Sequence, residues 1–259
     1  MEENKFAAYL KELAAKYSVA GGLEVSTDGE KVSIACDKGN YHFYFDFSKI
    51  PDAPENAVPL FHWRNKRKYI ELKNILKTKM IEDPRGIRVH HIVPRDQFNR
   101  SLLNIIVNEV DLAEFITGQK VDRIFADFSS EVYTNCIVST SGNLKISMEL
   151  GFSPKGSEPV LLHEIIARTG IASDVVVDTQ MQQYPIYVIR GKDIAHYNEI
   201  DNELYGLDNT QADCIRFILS VLSDTEVMPD LQKDWRHLLS VYAAAKKATQ
   251  VLEYTEVAY

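Results

Sequence analysis

Between Ser101 and Gly118 the chain reads SLLNIIVNEVDLAEFITG, with Leu102, Ile105, Ile106, Leu112, Phe115 and Ile116 recurring at helical spacing. The pattern predicts an amphipathic helix over 101–117, stopped by Gly118. Strand-like sequence lies on both sides, so the apolar stripe of this helix is expected to cover a sheet. Asn104 and Asn108 stand one turn apart on it and share a face.

The remaining segments fit around that helix. NKFAAYLKELAAKYSV carries Phe6, Leu10, Leu13 and Tyr17 between charges, an amphipathic pattern closed by Gly21-Gly22. Asp28-Gly29 and Lys38-Gly39-Asn40 punctuate alternating stretches, which predicts three short antiparallel strands with Tyr41, Phe43, Phe45 and Phe47 on one face. Pro51, Pro54 and Pro59 crowd the next segment, read as irregular and as a boundary. YIELKNILKTKMI predicts a helix and GIRVHHIVPR a strand. VDRIFADFSS, EVYTNCIVST and LKISMELGF follow as a meander, and SDVVVDTQ and PIYVIRG as further strands. A helix pair ends the chain, TQADCIRFILSVLS and DLQKDWRHLLSVYAAAKKATQVLEY, with Asp230 as an N-cap after Pro229.

The expected architecture is therefore α+β, a largely antiparallel open sheet covered on one face by helices, with a small amino-terminal helix-plus-strands element. The expected divisions are 1–50 for that element, 51–60 for a Pro-rich linker and 61–259 for the main domain.

Composition limits the function. No run of eighteen apolar residues occurs, and MEENKF has the wrong charge and hydropathy for a secretory signal. Cys36, Cys136 and Cys214 are far apart and form no CxxC. The expectation is a reduced, cytoplasmic protein without disulfides or a zinc knuckle. With a net charge of −8, a nucleic-acid backbone would be repelled on average. The basic run Arg64-Asn-Lys-Arg-Lys68 reads as a solvated helix start.

Motifs are sparse. The sequence holds no GxGxxG after a strand, no GxxxxGK[ST], no GxSxG, no HExxH and no EF-hand loop. His90 and His91 adjoin in a strand and point to opposite faces, which disfavours a shared metal. His163-Glu164 in HEIIART reads as an ordered loop contact. Asp174, Asp178 and Asp201 assemble no carboxylate pair on spacing alone. No catalytic, cofactor-binding or metal-ligating residue is assigned.

The stretch Phe61–Tyr259, roughly three quarters of the chain, resembles the carboxy-terminal domain of the glucose–fructose oxidoreductase / inositol dehydrogenase (Gfo/Idh/MocA) family. The order of features carries the resemblance: FHWRNKRKYIELKNIL, DPRGIRVHHIVPR, VNEVDLAEFITGQKVDRIFADF, SGNLKISMELGF and DLQKDWRHLLSVYAAAKKATQ. The resemblance implies an amino-terminal Rossmann domain for NAD or NADP, a lysine from a Glu-Lys-Pro segment, and an Asp and a His one turn apart on the helix matching 101–117. Those groups take a hydroxyl proton from a sugar or polyol while the nicotinamide takes hydride.

The sequence departs at each place. Residues 1–60 are too short for a Rossmann domain, no Glu-Lys-Pro occurs, and the family's Asp and His align with Asn104 and Asn108. A carboxamide donates and accepts hydrogen bonds but has no pKa near neutrality. On a helix's outer face two such residues need no function, whereas buried ones need partners such as Arg95 or a ligand hydroxyl.

The expected function is a non-catalytic relative, without a cofactor, acting as a ligand-binding or homo-oligomeric assembly module. Its partners would be a second copy through the open sheet face, or a sugar or polyol. The alternative is an oxidoreductase-family enzyme that borrows a partner's cofactor domain or performs non-redox chemistry on a sugar. Asn104, Asn108, Arg64, His91, Arg95 and Arg168 are the candidate ligand contacts. Neither nucleic acid nor membrane is expected as a partner.

Overall fold

A computed structural model describes residues 3–46, 49–50, 56–95, 101–128, 130–174, 186–190, 193–197 and 207–258. The chain divides into two units, residues 1–66 with 178–235 and residues 67–177 with 236–259.

In the first unit, α1 (Glu3–Lys16) buries Phe6, Leu10 and Ala14, the stripe its periodicity predicts. The strands β1 (Glu24–Thr27), β2 (Lys31–Cys36) and β3 (Gly39–Tyr44) form an antiparallel meander. Asp28 Oδ1 accepts from the backbone N–H groups of Glu30 and Lys31, which closes the first turn. At the second, Gly39 adopts φ 125°, a conformation that favours glycine. Tyr41 and Phe43 face the core as expected, Phe45 lies beyond the strand end, and Phe47 falls outside the described residues.

The Pro-rich segment differs from expectation. Its residues 51–55 lie outside the described ones, but Ala57–Pro59 is a strand, β4, paired in parallel with β3. An edge strand bonded on one side tolerates Pro59, because no second partner requires its missing N–H. Helix α4 (Asn209–Ser223) opens with a capping box, in which Asp208 accepts from the Gln211 N–H and the Gln211 side chain accepts from the Asp208 N–H. Phe217 on α4 meets Phe43 and Phe61 edge-to-face, with centroids 6.2 and 6.1 Å away. The backbone also forms an antiparallel pair, β11 (Ile186–Arg190) with β12 (Asp193–Tyr197). The expected strand SDVVVDTQ falls largely outside the described residues.

The second unit is a seven-stranded sheet in the order β10-β9-β5-β8-β7-β6-β13. Its strands are β5 (Pro84–Pro94), β6 (Val121–Asp127), β7 (Tyr133–Thr140), β8 (Lys145–Ser153), β9 (Val160–Ala167), β10 (Gly170–Ser173) and β13 (Thr255–Glu256). All its pairings are antiparallel except β5 with β8. Strand β9 is a correction: VLLHEIIA contains HEIIA, read from sequence as loop, yet it pairs with both β5 and β10.

One face of the sheet is dry. Ile87, Val89, Ile124, Ala126, Cys136, Val138, Ile146, Met148, Leu150 and Ile165 alternate inward, as a half-buried sheet requires. On this side lie α2 (Arg67–Lys77) and α3 (Leu102–Thr117), and α3 packs on β7, β8 and α2. Ser101 caps α3 by accepting from the Asn104 N–H, and Gly118 ends it at φ 69°. Both boundaries match the sequence. The last helix, α5 (Met228–Val251), begins two residues before the expected cap at Asp230, and its Leu238, Val241, Ala245 and Ala248 are buried.

The opposite face is open and mixed. Arg88 pairs with Glu164 and His90 with Glu149, each at 3.2 Å, while Ile137, Ile166 and Ile171 are exposed beside them. The α+β class and the largely antiparallel sheet agree with the sequence reading. Among the described residues no helix is long and apolar enough to cross a membrane.

Gly151 in β8 has no room for a side chain. A Cβ there would stand 2.9 Å from the Val132 carbonyl oxygen and 3.0 Å from Ile92 Cδ1. Backbone cannot yield cheaply, so Gly151→Ala is expected to cost about 1–3 kcal/mol, measured as a lowered denaturation midpoint with unchanged slope.

Candidate functional site

Helix α3 is buried nearly all round, including Glu109, Asp111 and Glu114. A carboxylate taken out of water needs charged or hydrogen-bonding partners. Those partners create the ionisable centre of the second unit.

Glu109 is the hub. Its Oε1 lies 2.5 Å from His91 Nδ1 and its Oε2 lies 2.8 Å from His163 Nε2. The register explains how one carboxylate reaches both rings. On the antiparallel pair β5–β9, Val89 faces His163 and His91 faces Leu161, so the two histidines are diagonal neighbours on the covered face. His90, one residue along, turns to the open face and meets Glu149. The expected opposition of His90 and His91 holds.

The chain continues past His163. Its Nδ1 donates to Asp174 Oδ2 at 2.9 Å, and its backbone N–H donates to Asp174 Oδ1 at 2.6 Å. Lys68 Nζ of α2 donates to Asp174 Oδ2 at 2.8 Å. Tyr69 sits edge-on to the His163 ring, centroid to centroid 5.0 Å. Lys68, Asp174, His163, Glu109 and His91 thus form one linear chain of alternating donors and acceptors.

Burial alone would discharge these groups, but their neighbours outweigh it. Burial opposes the charged Glu109, yet the His163 and His91 imidazoles hold its carboxyl well below the usual range. Burial likewise disfavours protonated His163, but Glu109 and Asp174 carry its pKa up to about 9. Asp174 is lowered against its own desolvation by His163 and Lys68. His163 therefore stands as a cation between two carboxylates.

Glu114 anchors a second network. It accepts from His237 Nε2 at 2.7 Å, from Lys120 Nζ at 2.8 Å and from the Val121 N–H at 2.9 Å, tying α3 to α5 and to the start of β6.

Among the residues singled out from sequence, His91 lies on β5 and reaches α3 through Glu109, while Asn104 and Asn108 lie on α3 and are half-buried. Arg95 is exposed at the end of β5, its N–H donating to the Ser153 carbonyl. Arg168 is two-thirds exposed beside Glu82 and Asp83. Arg64 lies in the first unit, 2.9 Å from Asp234 and over the Phe61 ring. The basic run is largely matched to acids: Lys66 faces Asp213, Arg67 faces Glu71 and Lys68 faces Asp174. Asp178 and Asp201 lie outside the described residues.

Among the described residues no group of three His, Cys, Asp or Glu side chains is arranged to hold a metal ion. The first unit contributes a groove of about 510 Å³ lined by Lys11, Glu24, Ser26, Ser33, Asn40 and His42. Ser33 Oγ and His42 Nδ1 are 3.0 Å apart there, as cross-strand neighbours.

Sequence reasoning missed Glu109, His163, Asp174 and Lys68 as a set. A usable signal was present at Glu109, an acid spaced four after Ile105 and three before Leu112 on the apolar stripe. A charge in that position asks for a buried partner.

Two outcomes follow from the chain. Glu109→Ala leaves the His163 cation buried with one carboxylate removed, and is expected to cost about 3–5 kcal/mol in urea denaturation. The pH dependence has a definite sign. The raised pKa of His163 gives stability that is full below 6.5 and is lost as pH climbs towards about 9. The lowered pKa values of Glu109 and Asp174 give stability present above their ordinary values of 4.5 and 3.8 and lost on acidification. The melting temperature should therefore be highest between about pH 4.5 and 6.5 and decline towards pH 9, and His163→Asn should flatten the alkaline decline.

No protein-family model matches this sequence, and no curated protein does. Solved structures do match by fold. One is scyllo-inositol dehydrogenase from Lactobacillus casei with bound NAD(H) and scyllo-inositol, at 14% identity and a TM-score of 0.55, covering 78% of this chain and 65% of that one. Another is myo-inositol dehydrogenase from the same organism in complex with NAD(H) and myo-inositol, at 14% identity and a TM-score of 0.54, covering 83% and 65%. A myo-inositol dehydrogenase from Corynebacterium glutamicum matches at 10% identity and a TM-score of 0.55, covering 79% and 65%. The chain spans about 65% of the length of these dehydrogenases. Over that span it has the fold of the inositol dehydrogenases of the Gfo/Idh/MocA type.

Proposed function

We propose that this chain is a non-redox relative of the polyol dehydrogenases that binds a polyhydroxylated ligand at the β5–α3 layer of its second unit. The observation that carries the reading is the polar character of α3. Asn104 and Asn108 offer neutral carboxamides one turn apart, at the positions where the resemblance aligns an Asp and a His. Carboxamides recognise hydroxyls as both donors and acceptors without moving a proton. The inositols bound by two of the matching dehydrogenases set the ligand class to try first. Cys36, Cys136 and Cys214 are free thiols, which suits a cytoplasmic setting.

A second reading, assembly of like copies, draws on the open sheet face. Ile166 and Ile171 sit together at one end of it, and Phe125 with Tyr254 at the other, flanking the Arg88–Glu164 and His90–Glu149 pairs. Sedimentation equilibrium against protein concentration separates a monomer from a dimer, and Ile171→Lys should dissociate a dimer formed there.

The primary test is the melting temperature with myo-inositol and scyllo-inositol, and separately with NAD, NADH, NADP and NADPH. At a hundred times its dissociation constant an inositol should stabilise the fold by about 2.7 kcal/mol. Asn104→Ala and Asn108→Ala should each weaken that binding by about 0.5–1.5 kcal/mol. Stabilisation by a nicotinamide cofactor would replace this reading with a redox one.

A further inference from the structure

The buried ion chain reaches the surface at its two ends, at Lys68, whose side chain is 38% exposed, and at His91. Its side chain keeps 16% of its area exposed, whereas the side chains of Glu109, His163 and Asp174 are at 5% or less. Its Nδ1 is engaged by Glu109, a carboxylate that can only accept, so the proton on that side of the ring sits on Nδ1. Nε2 has no hydrogen-bond partner among the described residues and is not among the enclosed polar atoms that lack one. In the neutral ring Nε2 therefore presents a lone pair outwards, with its direction fixed from behind.

Each link of the chain reinforces that orientation. Glu109 cannot turn away from His91 without abandoning His163, and His163 is held at its other nitrogen by Asp174, which Lys68 and the His163 backbone N–H restrain in turn. A carboxylate behind an imidazole selects the tautomer and aims the far nitrogen. Such a chain is more than α3 needs for burial, because a single cation would satisfy Glu109.

We infer that His91 Nε2 is the hydrogen-bond acceptor for a ligand hydroxyl in this unit, with Glu109 and His163 as positioning residues behind it. This rests on the polyol-binding reading and deepens it. The accepting ring nitrogen stands on strand β5 and is held against α3 by Glu109. The step assigned to His91 is hydrogen-bond acceptance and involves no covalent change in the ligand.

The test is ¹⁵N–¹H long-range correlation of the histidine rings in the full chain near pH 7.5, with and without myo-inositol, His91 being assigned through His91→Gln. The expected spectrum has His91 in the Nδ1–H tautomer, and its Nε2 resonance moves on adding myo-inositol. Glu109→Gln, in preparations that retain the native far-ultraviolet spectrum, should turn part of the His91 population to the Nε2–H tautomer. His91→Phe should weaken myo-inositol binding at least tenfold in the thermal-shift titration. An Nε2–H tautomer in the wild type overturns the inference. So does a ligand-induced melting shift in His91→Phe equal to that of the wild type, and then the polyol-binding reading survives with its contacts elsewhere. If myo-inositol and scyllo-inositol both leave the wild-type melting temperature unmoved, the polyol-binding reading fails and the role of His91 as its acceptor fails with it. The wild-type spectrum needs no variant to fold.

Discussion

Glu109 is the constraint on which the second unit depends. An apolar helix laid on an apolar sheet has little to stop it sliding by a turn, because Ile105, Ile106, Val110 and Leu112 are similar in size and equally content against β7 or β8. Replacing a buried ion pair by well-packed hydrophobic residues is often neutral or stabilising, so the carboxylates of α3 are not explained by stability. They are explained by position. Glu109 fits between two imidazoles that the β5–β9 register sets diagonally, and Glu114 fits between His237, Lys120 and the Val121 N–H. Two anchors five residues apart fix the rotation of the helix and its height over the sheet.

The sheet makes the first anchor possible. His91 and His163 come from neighbouring antiparallel strands, so their separation is set by ladder hydrogen bonds rather than by loops. Diagonal positions on one face are about 7–8 Å apart, a gap that a carboxylate with one oxygen for each ring can bridge. Asp174, just beyond β10, closes the far side of His163 because β10 pairs with β9 and brings its end alongside. The ion chain is thus a property of strand register, and a slip of β9 by one residue would turn His163 to the open face and break it.

Much of the fold was legible because its signals are local. Ser101 and Gly118 bound α3 where the apolar period stops, and the alternation of GIRVHHIVPR placed His90 and His91 on opposite faces. What failed was non-local or lacked a period. VLLHEIIA has no clean alternation, since Leu161 and Leu162 adjoin, and only its pairing with β5 and β10 makes it a strand. Ala57–Pro59 is a strand solely because β3 offers an unpaired edge. The contacts of the candidate site span 54 residues from Glu109 to His163 and 106 from Lys68 to Asp174, distances at which spacing carries no information. The residues were visible one by one, and their convergence was not.

The distribution of charge over the β5–α3 layer bears on what it can recognise. The ionisable groups there are matched in alternation, Lys68 with Asp174, His163 with Asp174 and Glu109, and Glu109 with His91. Two cations and two carboxylates cancel before His91 is counted, so the chain presents no uncompensated charge to attract an ion. What it leaves for a ligand is the outer ring nitrogen of His91. Groups of this kind discriminate by hydrogen-bond direction, since a hydroxyl satisfies them and a methylene leaves them unpaired. On the proposed reading, that suits neutral polyhydroxylated molecules better than ions, because the charges of the chain are already taken up by one another.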